Sequence, residues 1–321
     1  MEDCAIKGIP DCNLLDKVIN DFKTVNYFWI LMMTFAFALS NLSRSIRWNM
    51  LLKPLGYKPR LINSFLTIVL GYFANLGLPR VGELVRVATL SKYENLSPEK
   101  VMGTVVVDRI IDVISILIVT GIVLILEYDR IWGYFKEQMA LGDKIQGFLS
   151  SNIFFTFIGI VILIIAGLFI FRKKIGNSNI FKRIKKLFIG FAEGIKTVSK
   201  LDRPWLFLFH SINIWFMYFM MMYLTFFSFG PTAHLTALAA LTVFVTGGWG
   251  IVIPSPGGMG TFHLLVVAVL AMYGINGDDA FSFANINFFS VQIGSNILIG
   301  ILALIFLPII NKHYKPKQSD Q

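Results

Sequence analysis

Three charged residues follow a helix breaker in an otherwise apolar part of the chain. The stretch NLGLPRVGELVRV presents Arg80, Glu83 and Arg86 directly after Pro79. Their i, i+3, i+6 spacing places all three along one face of the helix that follows the proline. The free N–H groups at a helix N-terminus attract anions, and arginine binds phosphate through two parallel hydrogen bonds. The spacing therefore predicts an anion-binding site.

A second charged motif, GTVVVDRIIDV, adds Asp108, Arg109 and Asp112. The two aspartates are four residues apart and share a helical face, from which Arg109 is turned away. A charge at the middle of a bilayer costs about 2.5–3.5 kcal/mol on insertion scales, so such groups are usually paired or in contact with water. One interpretation is pairing of Arg80 or Arg86 with an aspartate. The other, which we favour for the group as a whole, is a functional polar cavity.

A second interruption, PSPGGMGTFH, contains Pro254, Pro256, Gly257 and Gly258 within an apolar region. Two prolines and three glycines within seven residues do not continue a helix. Non-helical backbone at membrane depth is tolerated only where protein buries it or where it lines a cavity. We therefore predict a broken segment whose N–H groups bind an anionic or carbonyl group. His263 is a candidate proton carrier or headgroup ligand, and a simply hydrogen-bonded histidine is the alternative.

No catalytic motif accompanies these residues. The sequence has no HExxH, no GxSxG with triad partners, no Walker motif and no CxxC. We therefore predict no enzyme activity, no metal and no cofactor. An alternative is a membrane transferase or hydrolase acting on a lipid-linked substrate, for which Asp108, Asp112 and Glu83 are the candidate bases or metal ligands. A further alternative is a membrane partner protein that transports nothing.

Membrane-spanning helices are the elements that must position these side chains. Of 321 residues, 55% are hydrophobic and 15% are charged, whereas about a quarter of an average soluble domain is charged. Apolar runs long enough to cross roughly 30 Å of hydrocarbon recur along the chain. We predict an all-α polytopic integral membrane protein, built as a single transmembrane domain over residues 1–321.

The apolar pattern divides this domain into five parts. They are an amphipathic segment 1–26, a first half 27–171, a basic connection 172–203, a second half 204–310 and a basic tail 311–321. Spans are predicted near 27–51, 101–126, 153–171, 204–229 and 284–310, with a mixed polar connection at 127–151. Each half has a span, a segment broken by Pro and Gly, and another span, which is the pattern of inverted repeats in transporters. We predict that both broken segments are re-entrant hairpins; the alternative is that their arms cross fully.

The net charge of +10 is explained by membrane topology, not by nucleic-acid binding. Ten basic residues lie between Arg172 and Arg203, against two acidic ones. Basic loops beside membrane spans remain on the cytoplasmic side. We predict a cell-membrane protein with residues 172–203 and the C-terminus in the cytoplasm and with an extracytoplasmic N-terminus. No nucleic-acid partner is expected.

Four motifs resemble a known family. SRSIRWNMLLKPLGY, NLGLPRVGELVRVATLSKYE, GTVVVDRIIDV and PSPGGMGTF occur in this order, and together they are similar to the flippase-like integral membrane family named for the transmembrane region of lysylphosphatidylglycerol synthetases. The resemblance extends from about Leu14 to Leu307. Some members are fused to a soluble aminoacyl transferase domain, which these residues do not contain, so we expect no aminoacylation.

The resemblance implies a lipid translocase or a protein that handles lipid headgroups. The expected partner is a membrane phospholipid or another polar lipid, with an anionic or zwitterionic headgroup. The residues implied by the motifs are Arg44, Arg47, Arg80, Glu83, Arg86, Asp108, Arg109, Asp112, Pro254, Pro256, Gly257 and Gly258.

Overall fold

The computed structural model describes residues 14–77, 81–139, 201–252 and 258–316, and its regular structure there is entirely helical. A π-helical segment, Phe289–Ser295, joins the last two helices. The α-helices are α1 Leu14–Thr24, α2 Tyr27–Leu52, α3 Leu61–Gly77, α4 Gly82–Glu94, α5 Pro98–Leu126, α6 Tyr128–Met139, α7 Pro204–Ser228, α8 Ala237–Val252, α9 Thr261–Met272, α10 Gly277–Phe288 and α11 Asn296–Asn311. The predicted all-α membrane class is confirmed.

Long apolar helices coincide with most of the predicted spans. In the described ranges, Pro98–Leu126, Pro204–Ser228 and Gly277–Asn311 are each long and apolar enough to cross a membrane. The pair formed by α1 and α2, bent by 82°, gives a fourth candidate. The predicted span at 153–171 and nearly all of the basic connection lie outside the described residues.

Residues Leu124–Met139 belong to a second compact unit and are described by themselves. This segment contains the first part of the polar connection predicted at 127–151. It is helical from Tyr128 to Met139. Tyr128 and Trp132 lie one turn apart and their rings stack at 6.4 Å. Contacts between side chains four residues apart stabilise a helix.

Two helix pairs, α3–α4 and α8–α9, pack as hairpins. Their arms contain 17, 13, 16 and 12 residues. At 1.5 Å per residue the longest arm extends about 25 Å, which is less than the roughly 30 Å of a bilayer core. The tips, at 78–80 and 253–257, lie outside the described residues. The short arms fit re-entrant hairpins, whose depth in the membrane stays a prediction.

Glycines allow the arms of both hairpins to approach closely. A Cβ on Gly82 would collide with the carbonyl oxygen of Gly71 in the opposite arm. In the second hairpin a Cβ on Gly250 would lie 2.8 Å from the Cα of Phe262. The Thr261 hydroxyl donates a hydrogen bond of 2.6 Å to the Gly250 carbonyl. Backbone contact therefore holds each hairpin together.

The first hairpin begins and ends at one end of the helix bundle. Lys53, just after α2, pairs with Asp202, just before α7, at 2.6 Å. Arg60, just before α3, donates a side-chain hydrogen bond to Asn311 at the end of α11. Its backbone N–H donates to Glu94 at the end of α4. The start of α3 and the end of α4 therefore lie together.

The second hairpin opens at the opposite end. The Asn26 N–H donates to the Ser228 carbonyl at 2.9 Å, which joins the start of α2 to the end of α7. Lys17 of α1 pairs with Asp279 at the start of α10 at 2.8 Å. Because α8 follows the end of α7 and α9 precedes α10, this hairpin opens at that end. The opposed hairpins have the arrangement that the inverted-repeat hypothesis predicts.

Each hairpin also contacts a long helix of the other half. On α11, a Cβ at Gly300 would lie 2.5 Å from the Cβ of Phe73 on α3. The Trp249 indole N–H of α8 donates to the Thr120 hydroxyl of α5 at 3.0 Å. Through these contacts both hairpins reach the interior of the helix bundle.

Two apolar clusters support this interior. The larger one joins α7, α8, α9 and α10 around Phe226, Val243 and Phe283. The other joins α2, α4 and α5 around Trp48 and Leu90. The second cluster lies directly beside the charged residues, since the Arg86 guanidinium group lies 3.7 Å above the Trp48 ring.

Candidate functional site

Two arginines of α2 and two aspartates of α5 form a buried ion-pair network. Arg44 Nη1 lies 2.7 Å from Asp112 and 3.2 Å from Asp108. Arg47 Nη2 lies 2.6 Å from Asp108 and 2.7 Å from Asp112. Arg44, Arg47 and Asp108 are 2%, 0% and 0% exposed. The near-equal spacing of the pairs along their helices lets each arginine reach both carboxylates.

A third arginine, Arg86 of α4, joins this network incompletely. Its Nη1 lies 3.3 Å from Asp108 Oδ2, and its guanidinium group lies 3.7 Å above the Trp48 ring. Its Nε and Nη2 have no hydrogen-bond partner among the described residues. An unpaired buried donor loses hydration without compensation. Arg86 therefore retains donor capacity for an anion.

The buried network carries excess positive charge. Three arginines against two aspartates leave one net positive charge. A buried charge without compensation is costly, and a bound anion would offset that cost. The network is thus suited electrostatically to a negatively charged group.

Glu83 and Arg109 form a more exposed pair beside the network. Arg109 donates to Glu83 at 2.5 Å, and the side chains are 41% and 38% exposed. The Gly82 N–H at the start of α4 donates to the Asn75 side chain at 2.7 Å. That hydrogen bond uses one of the backbone N–H groups that the sequence analysis expected to bind an anion. The arginine side chains, more than the α4 N-terminus, therefore provide the positive charge.

A cavity of about 400 Å³ adjoins the network. Arg44, Arg109 and Asp112 line one part of it, together with Tyr72 and Tyr218. Apolar side chains from α5, α7, α8 and α9 line much of the rest, including Ile116, Met221, Phe244, Val245, Ile251 and Phe262. A cavity with both linings can hold a molecule that has an anionic part and an apolar part.

Comparison with known proteins gives the family. The family model of the lysylphosphatidylglycerol synthase transmembrane region matches residues 14–309. The chain belongs to this family. All twelve residues implied by the four motifs lie within the matched range. The resemblance inferred from those motifs is confirmed.

A curated relative adds a weaker likeness. The UPF0104 membrane protein MJ1595 of Methanocaldococcus jannaschii is 31% identical to the chain over 157 residues. The match covers 47% of the chain and 44% of that protein, so it spans less than half the length of the relative. No solved structure matches the chain.

The second broken segment of this family member is described only at its end. Pro254, Pro256 and Gly257 lie outside the described residues, as does Arg80 in the first hairpin. Gly258 has a φ of +80°, in the left-handed region that favours glycine. A Cβ there would lie 3.1 Å from the Cα of Ile251. Gly258 thus has a clear backbone role, and its predicted part in substrate binding stays a prediction.

His263 lines a different cavity from the arginines. This groove of about 620 Å³ is lined mainly by apolar residues of α9 and α10. The His263 ring lies 5.0 Å from the Phe288 ring. Its Nδ1 has no hydrogen-bond partner in the part of the chain that the structure describes. The histidine is thus separate from the charged residues, and its role as a proton carrier or headgroup ligand stays a prediction.

The sequence analysis missed several residues of α7 that line the cavity or contact the charged network. Tyr218 accepts a hydrogen bond from Arg44 at 3.2 Å, and Ser211 accepts one from Arg47 at 3.4 Å. Trp215 lies between them on α7. The spacing 211, 215 and 218 marks one helical face, and this polar face within an apolar span was a usable signal.

Proposed function

We propose that the protein is a polar-lipid transporter, a flippase, that binds an anionic or zwitterionic headgroup in the 400 Å³ cavity. The observation that carries the proposal is the cavity lining. Guanidinium groups of Arg44 and Arg109 lie in one part, and apolar side chains lie in the rest. A phospholipid has the same division between headgroup and tail.

The charges support a phosphate-bearing headgroup. A phosphate beside Arg44 and Arg109 would receive charge-assisted hydrogen bonds and would offset the net charge of the buried network. Its tails would contact the apolar wall or remain in the bilayer. The protein would thereby lower the cost of moving a polar headgroup through hydrocarbon.

The opposed hairpins support a transport cycle. In transporters with inverted repeats, one half rocks against the other around a site near the middle of the membrane. Here each hairpin contacts a long helix of the other half, through Phe73 and Gly300 and through Trp249 and Thr120. Such motion would expose the cavity to each side in turn.

Topology follows from charge. The bundle end with Lys53 and Arg60 also holds the end of α11 and the basic residues after it. By the positive-inside rule this end would face the cytoplasm. The N-terminus and Asp279 would then lie on the extracytoplasmic side of the cell membrane.

The enzymatic alternative is less favoured because it needs an available carboxylate. Asp108, Asp112 and Glu83, its candidates, each pair with arginine. The described residues contain no group of three His, Cys, Asp or Glu side chains suited to a metal ion. A transporter instead uses this pairing to hold its guanidinium groups in place.

Leaflet exchange of labelled phospholipid in vesicles tests the proposal. Gly248 lines the cavity, and a Cβ there would meet only Ile116 at 3.7 Å. Gly248→Leu should therefore fill the cavity without removing a charge. The matched control is Gly121→Leu on α5, since a Cβ at Gly121 has nothing within 4 Å.

We expect the wild type to exchange lipid faster than protein-free vesicles. Gly248→Leu should slow the exchange by about tenfold or more, and Gly121→Leu should retain it. Wild-type exchange no faster than that of protein-free vesicles would exclude transport. A chemically changed lipid, found by mass spectrometry, would favour the enzymatic alternative instead.

A further inference from the structure

The carboxylates near the cavity are already paired with arginines. Asp112 is the one carboxylate among the described residues that lines the cavity. Its oxygens accept hydrogen bonds from Arg44 and Arg47, both at 2.7 Å. Each oxygen thus accepts a charge-assisted hydrogen bond from a different arginine. An ammonium group beside Asp112 would lie close to both guanidinium groups and would be repelled by them.

The neighbouring acids are also occupied. Asp108 is 0% exposed and contacts three arginines. Glu83 pairs with Arg109. The excess of arginine over aspartate in this part of the cavity therefore favours anions over amines.

Neutral polar groups lie elsewhere in the same cavity. Asn296 and Gln292 line it where the π-helical segment meets α11. Asn296 is 6% exposed, and its Nδ2 donates to the Gln292 carbonyl at 2.9 Å. Its Oδ1 has no hydrogen-bond partner in the described ranges. π-Helical turns are frequent at functional sites.

Trp215 supplies the complementary group. It also lines the cavity, and its indole N–H has no acceptor among the residues that the structure describes. An unpartnered buried donor and acceptor each carry a desolvation cost. A hydroxyl group both donates and accepts, so hydroxyl groups on a ligand would fit Asn296 and Trp215.

We infer that the cavity selects anionic lipids whose headgroup carries hydroxyl groups over lipids whose headgroup carries an amine or a quaternary ammonium. This inference rests on the proposed transport function and names its substrate class. The arginines would bind the phosphate, and the amide and indole groups would bind the hydroxyls.

The test compares three labelled phospholipids with identical chains, ending in glycerol, ethanolamine or choline. Leaflet exchange is measured in vesicles, and binding of short-chain forms to the purified protein is measured by calorimetry. We expect the wild type to prefer the glycerol lipid by about tenfold or more. Asn296→Leu should reduce this preference, because the unpartnered acceptor is lost.

Asn296→Asp gives the sharper result. It adds a carboxylate to the neutral part of the cavity with little change of shape, so it should shift the ratio toward the ethanolamine lipid by about tenfold. The matched control is Asn285→Asp. Asn285 lies on α10 and lines the groove around His263, not this cavity. Its substitution should leave the wild-type ratio unchanged.

The outcomes separate the two proposals. Exchange of all three lipids at equal rates overturns the selectivity and leaves transport standing. Preference for choline also overturns it and indicates binding of the cation by the aromatic rings of Trp215 and Phe244. If no lipid is exchanged, transport fails, and calorimetry still decides: equal or tighter binding of the ethanolamine lipid then overturns the selectivity as well.

Discussion

The two hairpins share a backbone design and differ in chemistry. Both bring their arms together at glycine, with Gly71 and Gly82 in α3–α4 and with Gly250 in α8–α9. The first carries Glu83 and Arg86, whereas the second contains no charged side chain in its described helices. The same architecture thus supplies charge from one half of the protein and an apolar wall from the other.

The two hairpins differ in charge because they contact different side chains of α5. Arg86 of the first hairpin reaches Asp108 on α5. The second hairpin contacts α5 through Trp249 and Thr120, which form a neutral hydrogen bond. Between Pro204 and Asn311 the sequence has no Lys or Arg. Buried charges therefore occur where partners of opposite charge offset their desolvation. Helix α5 of the first half provides a partner for each of the two hairpins.

Among the changes considered, removal of a buried aspartate should destabilise the protein most. Asp108→Asn leaves three buried arginines with a weaker acceptor, and we expect a loss of about 3–5 kcal/mol in the free energy of unfolding. Asp112→Asn should cost less, since its side chain is 13% exposed whereas that of Asp108 is 0% exposed. Denaturant unfolding in detergent measures both. An Asp108→Asn variant as stable as wild type would contradict the network.

Alanine at the hairpin crossings tests what the two halves share. Gly82→Ala and Gly250→Ala each place a Cβ against backbone atoms of the opposite arm. We expect each to cost about 1–3 kcal/mol of stability. Gly103→Ala is the control, because a Cβ there has nothing within 4 Å. A loss in only one hairpin would show that the shared design is wrong.

The neutral link of the second half should contribute less. Trp249→Phe removes the hydrogen bond to Thr120 and keeps an aromatic ring. We expect a loss of about 1 kcal/mol. A double-mutant cycle with Thr120→Val should assign that loss to the pair. A coupling energy near zero would mean that this hydrogen bond does not hold α8 to α5.

The exposed pair of Lys53 and Asp202 should matter least. Its side chains are 55% and 67% exposed, so solvent screens the interaction. The hydrogen bond and charge of Lys53 hold the pKa of Asp202 below its usual value. Any stabilisation is therefore present at neutral pH and is lost as the pH falls through that lowered pKa.

We expect the thermal unfolding curves of Lys53→Gln and wild type to coincide at neutral pH. A clear destabilisation would show that this end of the bundle depends on surface charge.

The sequence predicted the positions of the helices better than the ion pairs between them. The helices near 27–51, 101–126 and 204–229 follow from long apolar runs, and the breaks follow from Pro and Gly. Pairing was harder, because the sequence suggested that α4 provides the arginines for Asp108 and Asp112. The closest contacts instead come from Arg44 and Arg47, and only the packing of α2 beside α5 reveals this.

The cavity wall could not be predicted in the same way. Phe244 and Val245 lie on α8 among many similar apolar residues. The sequence does not distinguish an apolar side chain that faces lipid from one that faces the core or a cavity. Nothing in the local sequence showed that His263 lines a different cavity from the arginines. Tertiary structure alone separates the two cavities.

Calorimetric binding of a short-chain anionic phospholipid tests the central claim most directly. Arg109 lines the cavity, is half-exposed and lies 3.7 Å from Asp112, which is farther than the arginines of α2 lie from it, so Arg109→Gln should leave the close ion pairs of the buried network in place. The matched control, Lys53→Gln, removes an equal charge outside the cavity. A Glu83→Gln/Arg109→Gln double variant checks that an unpaired Glu83 is not responsible for the effect.

We predict that Arg109→Gln and the double variant bind the lipid about tenfold or more weakly than wild type, because a hydrogen bond to a charged group contributes about 1.5–3 kcal/mol. Lys53→Gln should bind it as tightly as wild type. Equal affinity of the wild type, Arg109→Gln and Lys53→Gln would show that the cavity does not bind the anionic headgroup.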